Sequence, residues 1–198
     1  YFSKLLLGKT ALYGNNTTIF VCDFKGDDDF SFLDGCDNYF CFMECSDGLD
    51  RYYDLFLKRQ NKSTSNRNML ILFFDEWASY LNFLDKKKAE EEKRKLSNLL
   101  MLGRSFNVHI IISQQRADAQ YFSTARDNFN LVVGLGNLSP ESKDMLFHDY
   151  KDQMISDCKQ GIGYMLTNGT DLARILVPTI TNMDKLHNTI KSAVNNNT

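Results

Sequence analysis

A run of six apolar residues, Met69–Phe74, ends directly in two acids, Asp75 and Glu76. A short run that is apolar on both faces is typical of a strand buried in a parallel sheet. Because ligands of such sheets bind at the carboxyl ends of the strands, the acids are predicted to stand where a nucleotide's metal and phosphates lie. The alternative is that they only begin a helix, where acids interact favourably with the helix dipole. The run by itself leaves both interpretations open.

Composition and charge limit the classes of protein that this chain can represent. It has 198 residues, 43% of them hydrophobic, and a formal net charge of −2 at pH 7. These values are typical of one globular domain with a substantial core, and they exclude a strongly basic nucleic-acid-binding tail. If the protein handles DNA, it must do so through a local patch or an assembled ring. No apolar run in the sequence is long enough to span a bilayer.

Helix-like and strand-like patterns alternate along the chain, which predicts an α/β fold with a mainly parallel core sheet flanked by helices. Helices are expected over residues 1–13, 47–60 and 76–104, and strands over 17–23, 39–43, 69–74, 106–113 and 129–133. The highly charged residues 86–95 are expected to form a solvated helix face, with Glu91 and Lys95 as an ion pair. An Asn-Gly turn within Thr167–Thr170 predicts a hairpin at an antiparallel edge of the sheet. Residues 181–198 are expected to form a short C-terminal helix or tail.

Polar residues follow three of the predicted strands at the point where each strand ends. They lie in the stretches 23–26, 75–76 and 113–116, with the sequences DFKG, DE and SQQR. Because the carboxyl ends of parallel strands meet at one edge of a sheet, acids, amides and cations are expected there together. Such a set of groups is typical of metal-assisted phosphoryl transfer.

Four stretches in this order, VCDFKG, ILFFDEWASYL, GRSFNVHIIISQQR and RDNFNLVVGLGNLSPES, resemble the FtsK/SpoIIIE motor domain of the HerA-FtsK superfamily. They resemble more closely the TcpA-type coupling proteins of Gram-positive conjugative elements. The resemblance covers about residues 1–180 and implies a RecA-like P-loop ATPase motor domain. It also implies ATP and Mg²⁺ as cofactors, a homohexameric ring and translocation along double-stranded DNA.

The resemblance assigns roles to individual residues. Asp75 is expected to hold Mg²⁺, and Glu76 to activate the attacking water. Gln115 corresponds to the polar sensor that reads the γ-phosphate. Arg104 corresponds to an arginine that acts on the nucleotide of a neighbouring subunit, where it stabilises transition-state charge. The alternative role of Arg104 is that of a helix-terminal cation near the dipole.

Further basic residues are candidates for contacts to the nucleotide. Lys25 matches the lysine of the family's D-P-K element, although Phe24 stands here where the family often has proline. Its alternative role is that of a solvated turn lysine. Arg116 and Arg126 are weaker candidates for the task of Arg104.

The sequence departs from the family at the phosphate-binding loop. No G-x-x-x-x-G-K-[ST] motif occurs, and Gly8-Lys9-Thr10 lies within a predicted helix with no glycine five residues before Gly8. We therefore expect this chain to begin just after the loop and to hydrolyse little ATP without it. An N-terminal membrane segment of the parent protein is expected upstream, which would hold the motor in the cytoplasm at the inner face of the cell membrane.

Three functions remain open from the sequence. The first is an ATP-driven double-stranded DNA translocase for conjugative transfer, with a relaxase and conjugation-channel proteins as partners. The second is a related FtsK-like ATPase that powers protein secretion, and stimulation of hydrolysis by DNA separates these two. The third is a non-catalytic assembly module derived from a P-loop domain. The presence of Asp75, Glu76 and Gln115 argues against the third function.

Overall fold

The structure, a computed structural model, describes residues 1–196 apart from 15, 116 and 156, and without the side chains of 123 and 124. Where the sequence predicts one domain and a tail, the chain divides into two compact units. The first contains residues 1–114 together with the C-terminal segment from residue 181, and the second contains residues 115–180.

Seven strands and six α-helices lie in the described part of the chain, joined by short 3₁₀ turns. The strands are β1 (Thr18–Asp23), β2 (Tyr39–Cys41), β3 (Leu70–Asp75), β4 (Val108–Ser113), β5 (Leu131–Leu135), β6 (Ile162–Thr167) and β7 (Asp171–Leu176). The helices are α1 (Phe2–Tyr13), α2 (Cys45–Gln60), α3 (Trp77–Phe83), α4 (Lys86–Leu102), α5 (Pro140–Phe147) and α6 (Met183–Val194). None of these helices is both long and apolar enough to cross a membrane.

The first unit is built on a four-stranded parallel sheet in the order β2-β1-β3-β4. The apolar run of the sequence forms β3, and Leu70–Phe74 are buried between strand neighbours on both sides. Helices α1 and α6 cover the sheet through Leu7, Ile190 and Val194, which share one core with Ile19 and Ile71. The predicted α/β fold with a mainly parallel sheet flanked by helices is thus confirmed.

The C-terminal helix α6 belongs to the core of the first unit, whereas the sequence predicts a short helix or tail outside the main domain. Ile190 and Val194 are fully buried, and the side-chain amide of Asn38 donates to the carbonyl of Val194 at 2.8 Å. Close packing against α1 depends on Gly8, because a Cβ atom there would lie 2.0 Å from Leu186. The triplet Gly8-Lys9-Thr10 therefore lies within α1, and its glycine packs against α6.

The single long helix predicted over residues 76–104 is wrong, since α3 ends at Phe83 and α4 starts at Lys86. Between them the Asp85 carboxylate accepts hydrogen bonds from the backbone N–H groups of Lys87 and Lys88, at 2.9 and 3.0 Å. An aspartate in this position satisfies N–H groups that the first helical turn leaves unpaired. Asp85 therefore caps a new helix.

The highly charged part of α4 is only partly solvated, in contrast to the prediction. Glu92 is fully buried and accepts from Lys88 at 2.7 Å and from Lys95 at 3.1 Å. Lys95 also contacts Asp50 of α2, so the predicted pair of Glu91 with Lys95 is not formed. Packing of α4 on α2 thus turns one carboxylate of the charged run inward, where two lysines compensate it.

The second unit contains a three-stranded antiparallel sheet in the order β5-β6-β7. The hairpin of β6 and β7 is confirmed, and Asn168 and Gly169 at its turn both have positive φ, 52° and 70°. Its predicted position at the edge of the parallel sheet is wrong, because β6 pairs with β5 in a separate sheet. Helix α5 starts at Pro140, and the side chain of the preceding Ser139 accepts a hydrogen bond from the Ser142 N–H.

Candidate functional site

Three polar residues form a row across the carboxyl edge of the parallel sheet. Asp75 at the end of β3 is paired in register with Asp23 of β1 on one side and with Ser113 of β4 on the other. All three strands run in the same direction, so their final side chains meet at one edge, as predicted for ligand sites in such sheets. We call Asp23, Asp75 and Ser113, together with Glu76, the acid row.

Asp75 is a half-buried carboxylate. Burial, followed by the charges of Glu76 and Asp23, raises its pKa to about 6, whereas a hydrogen bond with the Ser113 side chain and the charge of Lys25 act in the opposite direction. Burial and the neighbouring charges of Glu76 and Asp23 leave the negative charge of Asp75 poorly compensated. A divalent cation bound to its oxygens would supply the missing compensation.

Glu76 follows Asp75 in a strained backbone conformation. Its φ of 56° and ψ of 46° lie in the left-handed region, which is unfavourable for a residue with a side chain. Its N–H donates to the carbonyl of Ser113 at 2.8 Å, and the hydroxyl of Ser79 donates to its carboxylate at 3.3 Å. Backbone strain of this kind is concentrated at functional sites, where the surrounding structure maintains it.

Buried aromatic residues anchor the start of α3 directly after the acid pair. Trp77 is fully buried, and its ring centroid lies 5.0 Å from that of Phe74 in an edge-to-face arrangement. Tyr80 packs against both rings, with centroids 5.0 Å from Phe74 and 5.7 Å from Trp77. The turn that carries Glu76 is therefore fixed on both sides, by the sheet and by α3.

Asp23 is the second acid of the row and is 1% exposed. Its carboxylate accepts from the Gly26 N–H at 3.0 Å and from the hydroxyl of Tyr39 at 3.1 Å. Burial is the main reason that its pKa is raised, and these hydrogen bonds partly oppose the rise. Asp23 therefore fixes the turn after β1, the same turn that carries Lys25.

Lys25 contributes positive potential to the edge but has a nearer partner than Asp75. Its ammonium group forms an ion pair with Asp27 at 2.5 Å, and the pair is largely exposed. This hydrogen bond and charge raise the pKa of Lys25, to which Asp75 adds a smaller contribution. The fold thus brings Lys25 into the electrostatic neighbourhood of the acid row, with its side chain held by Asp27.

Arg104 lies at the opposite edge of the sheet. It belongs to the 3₁₀ turn Gly103–Phe106, which precedes the six-residue strand β4, whereas the acid row follows the strand ends. Six residues of strand span roughly 20 Å, so Arg104 cannot reach the acid row of its own chain. Its guanidinium is exposed and its charge contributes to a lowered pKa of His109, behind the larger effect of burial.

The other basic and amide candidates lie outside the first unit. Gln115 is exposed and belongs to the second unit, as does Arg126, which forms an exposed ion pair with Asp127 at 3.4 Å. Arg116 lies outside the described residues. Of the site residues that the sequence predicts, the first unit therefore brings Asp75, Glu76 and Lys25 together.

Sequence reasoning included Asp23 and Ser113 in the polar stretches but assigned no role to either. The available signal was their position, because each is the last residue of its strand. The sequence does not show that β1 and β4 pair with β3 on its two sides. This pairing makes Asp23 and Ser113 neighbours of Asp75.

The acid row fits Mg²⁺ in its donor chemistry. Carboxylate oxygens are the preferred protein ligands of Mg²⁺, which commonly takes only one or two of them and completes its shell with water and phosphate oxygens. No group of three or more His, Cys, Asp or Glu residues with metal-binding geometry occurs in the described part of the chain. If Mg²⁺ binds at this edge, Asp75 and the adjacent Glu76 are carboxylates that could hold it.

A parallel sheet covered by helices, with an Asp-Glu pair at the end of an inner strand, fits the fold of P-loop NTPase domains. Comparison with known proteins finds a similarity in sequence to an FtsK domain-containing protein. The chain is 28% identical over 131 residues to the FtsK domain-containing protein YdcQ of Bacillus subtilis, covering 63% of this chain and 27% of YdcQ. No protein-family model matches the chain.

Solved structures support the same fold. The cytoplasmic domain of the type VII secretion ATPase EccC from Thermomonospora curvata has a TM-score of 0.68 and 16% identity, over 97% of this chain and 26% of that one. The pCW3 conjugation coupling protein TcpA, with ATPγS, has a TM-score of 0.67 and 17% identity, over 96% of this chain and 58% of that one. The genome-packaging NTPase B204 of Sulfolobus turreted icosahedral virus 2, with AMPPCP, has a TM-score of 0.56 and 12% identity, over 88% of both chains.

Proposed function

We propose that this chain is the motor core of an ATP-driven double-stranded DNA translocase that serves conjugative DNA transfer. The observation that carries the proposal is the Asp75-Glu76 pair, held in a strained turn at the end of the central strand beside Asp23 and Ser113. The similarity to a conjugation coupling protein and to an FtsK domain-containing protein supports the assignment to DNA.

Asp75 and Glu76 of the acid row would have different roles in ATP hydrolysis. Asp75 would hold Mg²⁺, which supplies charge neutralisation at the phosphates when it is bound. Glu76 extends from a rigid turn and is the group positioned to orient or deprotonate an attacking water. Its carboxylate is restrained by Ser79 and its backbone by Ser113, so little reorganisation is needed.

We propose that Lys25 and Gln115 act on the phosphates of the nucleotide. The charge of Lys25 already acts on Asp75, and it would act likewise on nucleotide phosphates at that edge. Gln115 would read the γ-phosphate, with Arg116 and Arg126 as further cations of the second unit. We propose that the phosphate-cradling loop lies before α1 in the parent protein, because Gly8-Lys9-Thr10 is part of that helix and Gly8 packs against Leu186.

Arg104 is proposed to act on the nucleotide of a neighbouring copy. Because it lies a full strand length from its own acid row, any contact with a nucleotide has to be made in trans. Two apolar residues beside it, Met101 and Leu102, are 53% and 42% exposed, which suits a surface that contacts another protein copy. A homohexameric ring would provide this arrangement at every subunit boundary.

A net charge of −2 is compatible with DNA as the substrate. A translocase binds backbone phosphates, and a ring multiplies the few lysines and arginines that each subunit contributes. For the parent protein, the proposal adds attachment to the inner face of the cell membrane and contacts with a relaxase and conjugation-channel proteins.

The test is ATP hydrolysis by the full-length protein, with and without linear duplex DNA. We expect duplex DNA to raise the rate and Glu76→Gln to abolish it. A matched control is Glu90→Gln, which removes an exposed carboxylate of α4 that pairs with Lys93.

The other outcomes separate the alternatives. A rate of ATP hydrolysis that requires Glu76 but does not change when DNA is added would favour an ATPase that powers protein secretion. The similarity to EccC supports that function. An absence of hydrolysis in the full-length protein would contradict both and favour a non-catalytic assembly module.

A further inference from the structure

We propose that an aromatic patch beside the acid row is the surface on which a second copy of this chain docks with its Arg104 side. The patch, called the edge patch, consists of Phe42, Met43 and Phe83, and the part of the second copy that contacts it, called the docking segment, consists of Met101, Leu102 and Arg104. This inference rests on the proposed function, because it names the surface through which Arg104 would reach a neighbouring nucleotide site.

The edge patch is an exposed apolar surface of the first unit. Phe42, Met43 and Phe83 are 44%, 52% and 54% exposed. The ring centroids of Phe42 and Phe83 lie 5.4 Å apart, and they lie 5.1 and 5.8 Å from the centroid of Phe24. Phe24 is buried, so it forms the floor of the patch. Exposed apolar side chains that adjoin one another in this way mark surfaces that contact another molecule.

The backbone of Phe42 supports a functional role for this patch. Its φ of 49° lies in the left-handed region, which is rare for a bulky residue. Backbone strain of this kind is concentrated at functional sites. Because nearly half of the Phe42 side chain is exposed, burial within its own copy does not account for the conformation, whereas burial under a partner would.

The edge patch borders the acid row. Phe24 directly follows Asp23, and Cys41, the residue before Phe42, is paired in register with Asp23. Asp23 is in turn paired with Asp75. Because neighbouring strands are about 4.8 Å apart, the backbone at the start of the patch lies roughly 10 Å from that of Asp75. A segment that docks on the patch therefore comes close to the acid row.

The docking segment has the properties that this surface requires of a partner. Met101 and Leu102 are the last two residues of α4, and Arg104 follows two residues later, in the 3₁₀ turn. All three side chains are exposed. The segment combines apolar side chains with a cation, and the edge patch combines apolar side chains with the adjacent carboxylates of the acid row. The two surfaces are thus complementary in polarity and in charge.

The two surfaces cannot meet within one copy. Phe83 lies before α4 and Met101 lies at its C-terminal end, and a helix of 17 residues is roughly 25 Å long. A contact between two different surfaces of the same chain is heterologous, and its repetition can close a ring. Each boundary of such a ring would combine Glu76 and the edge patch of one copy with Arg104 of the next.

A double-mutant cycle tests the contact, because residues as far apart as Phe83 and Met101 in one copy should have additive effects. Assembly of the full-length protein is measured by sedimentation velocity with linear duplex DNA and a non-hydrolysable ATP analogue. We expect Phe83→Lys and Met101→Glu each to raise the protein concentration for half-maximal assembly by about tenfold, since each places a charge in an apolar contact. The protein with both substitutions should return to within about threefold of the wild type, because the opposite charges meet at every boundary.

Two further variants make the result specific. Leu12→Lys is the matched control, because Leu12 is a similarly exposed apolar residue of α1 that belongs to neither surface, and its assembly should stay within about twofold of the wild type. Phe42→Asn removes a ring of the edge patch with a residue that tolerates left-handed backbone, so it should weaken assembly without a charged replacement. Melting curves of all variants show whether the fold is kept.

Several results would overturn the proposal. They are additive effects of the two charged substitutions, single variants that assemble like the wild type, and a wild type that stays monomeric under these conditions. If the cycle shows coupling but the wild type hydrolyses no ATP, the contact stands and only the proposed function fails. If duplex DNA stimulates hydrolysis but the cycle shows no coupling, the proposed function stands and the contact between these surfaces is wrong.

Discussion

Removal of the charge of Asp75 should stabilise the metal-free protein above pH 6. The pKa of Asp75 is raised from 3.8 to about 6, a difference of about two units, and one unit corresponds to about 1.4 kcal/mol. Because the carboxylate is partly exposed to solvent, we reduce the resulting value of about 3 kcal/mol to about 1–2 kcal/mol. Asp75→Asn keeps an oxygen that can accept from Ser113 and removes the charge that Glu76 and Asp23 repel.

The sign of the pH dependence follows from proton linkage. A raised pKa means that the folded protein binds this proton more tightly than the unfolded chain does. The contribution of protonated Asp75 to the free energy of unfolding is therefore lost as pH rises from about 4 to about 6. The gain in free energy of unfolding that Asp75→Asn gives over the wild type should therefore be absent near pH 4 and complete near pH 7.5. It should also shrink when Mg²⁺ and ATP are added, because these ligands stabilise only the wild-type carboxylate site.

The assay is urea denaturation of the two proteins in EDTA, at a series of pH values. A gain of about 1–2 kcal/mol corresponds to a few degrees in melting temperature for a chain of this size. Asp29→Asn serves as the control, because Asp29 is exposed and lies outside the acid row. A difference between wild type and Asp75→Asn that does not vary with pH, or a destabilising effect at pH 7.5, would refute the reasoning.

Two further predictions concern α6 and Arg104. Gly8→Val should lower the free energy of unfolding of the first unit by about 1–3 kcal/mol in urea denaturation, because the valine side chain overlaps Leu186. Gly8→Ala should lower it by less. Equal stability of the two variants and the wild type would show that α6 is not packed there. Arg104→Ala should lower DNA-stimulated hydrolysis at least about tenfold without changing the melting temperature. Mixing it with inactive Glu76→Gln should restore part of the rate, since one subunit supplies Arg104 and its neighbour supplies Glu76; mixtures without recovery would contradict action in trans.

Much of the parallel sheet could be predicted because its signals are local. A strand buried on both faces must be apolar throughout, so Leu70–Phe74 can be recognised without knowledge of its neighbours. The acids that follow it must then lie at a carboxyl edge, which predicts the site at Asp75 and Glu76. The hairpin turn at Asn168-Gly169 is equally local, because few residues other than Asn and Gly tolerate the positive φ that it requires.

The sequence did not predict which charged and polar segments become buried. Glu92 lies in a run of charges that is typical of a solvated helix, and only the packing of α4 on α2 encloses it with Lys88 and Lys95. Residues of α6 have the polar composition of a tail, yet Ile190 and Val194 complete the core. In both cases burial depends on which face meets another element, a property of contacts between distant parts of the chain.

By itself, then, the sequence determined the α/β class, the central strand and the acids at its end, since strand and turn preferences act over a few residues. Only the tertiary structure decided that β1 and β4 flank β3, so that Asp23 and Ser113 become neighbours of Asp75. It alone decided that Glu76 adopts a left-handed conformation, and that the hairpin joins β5 in a separate sheet. The physical reason is that strand pairing and register are set by hydrogen bonds and packing between residues far apart in the sequence.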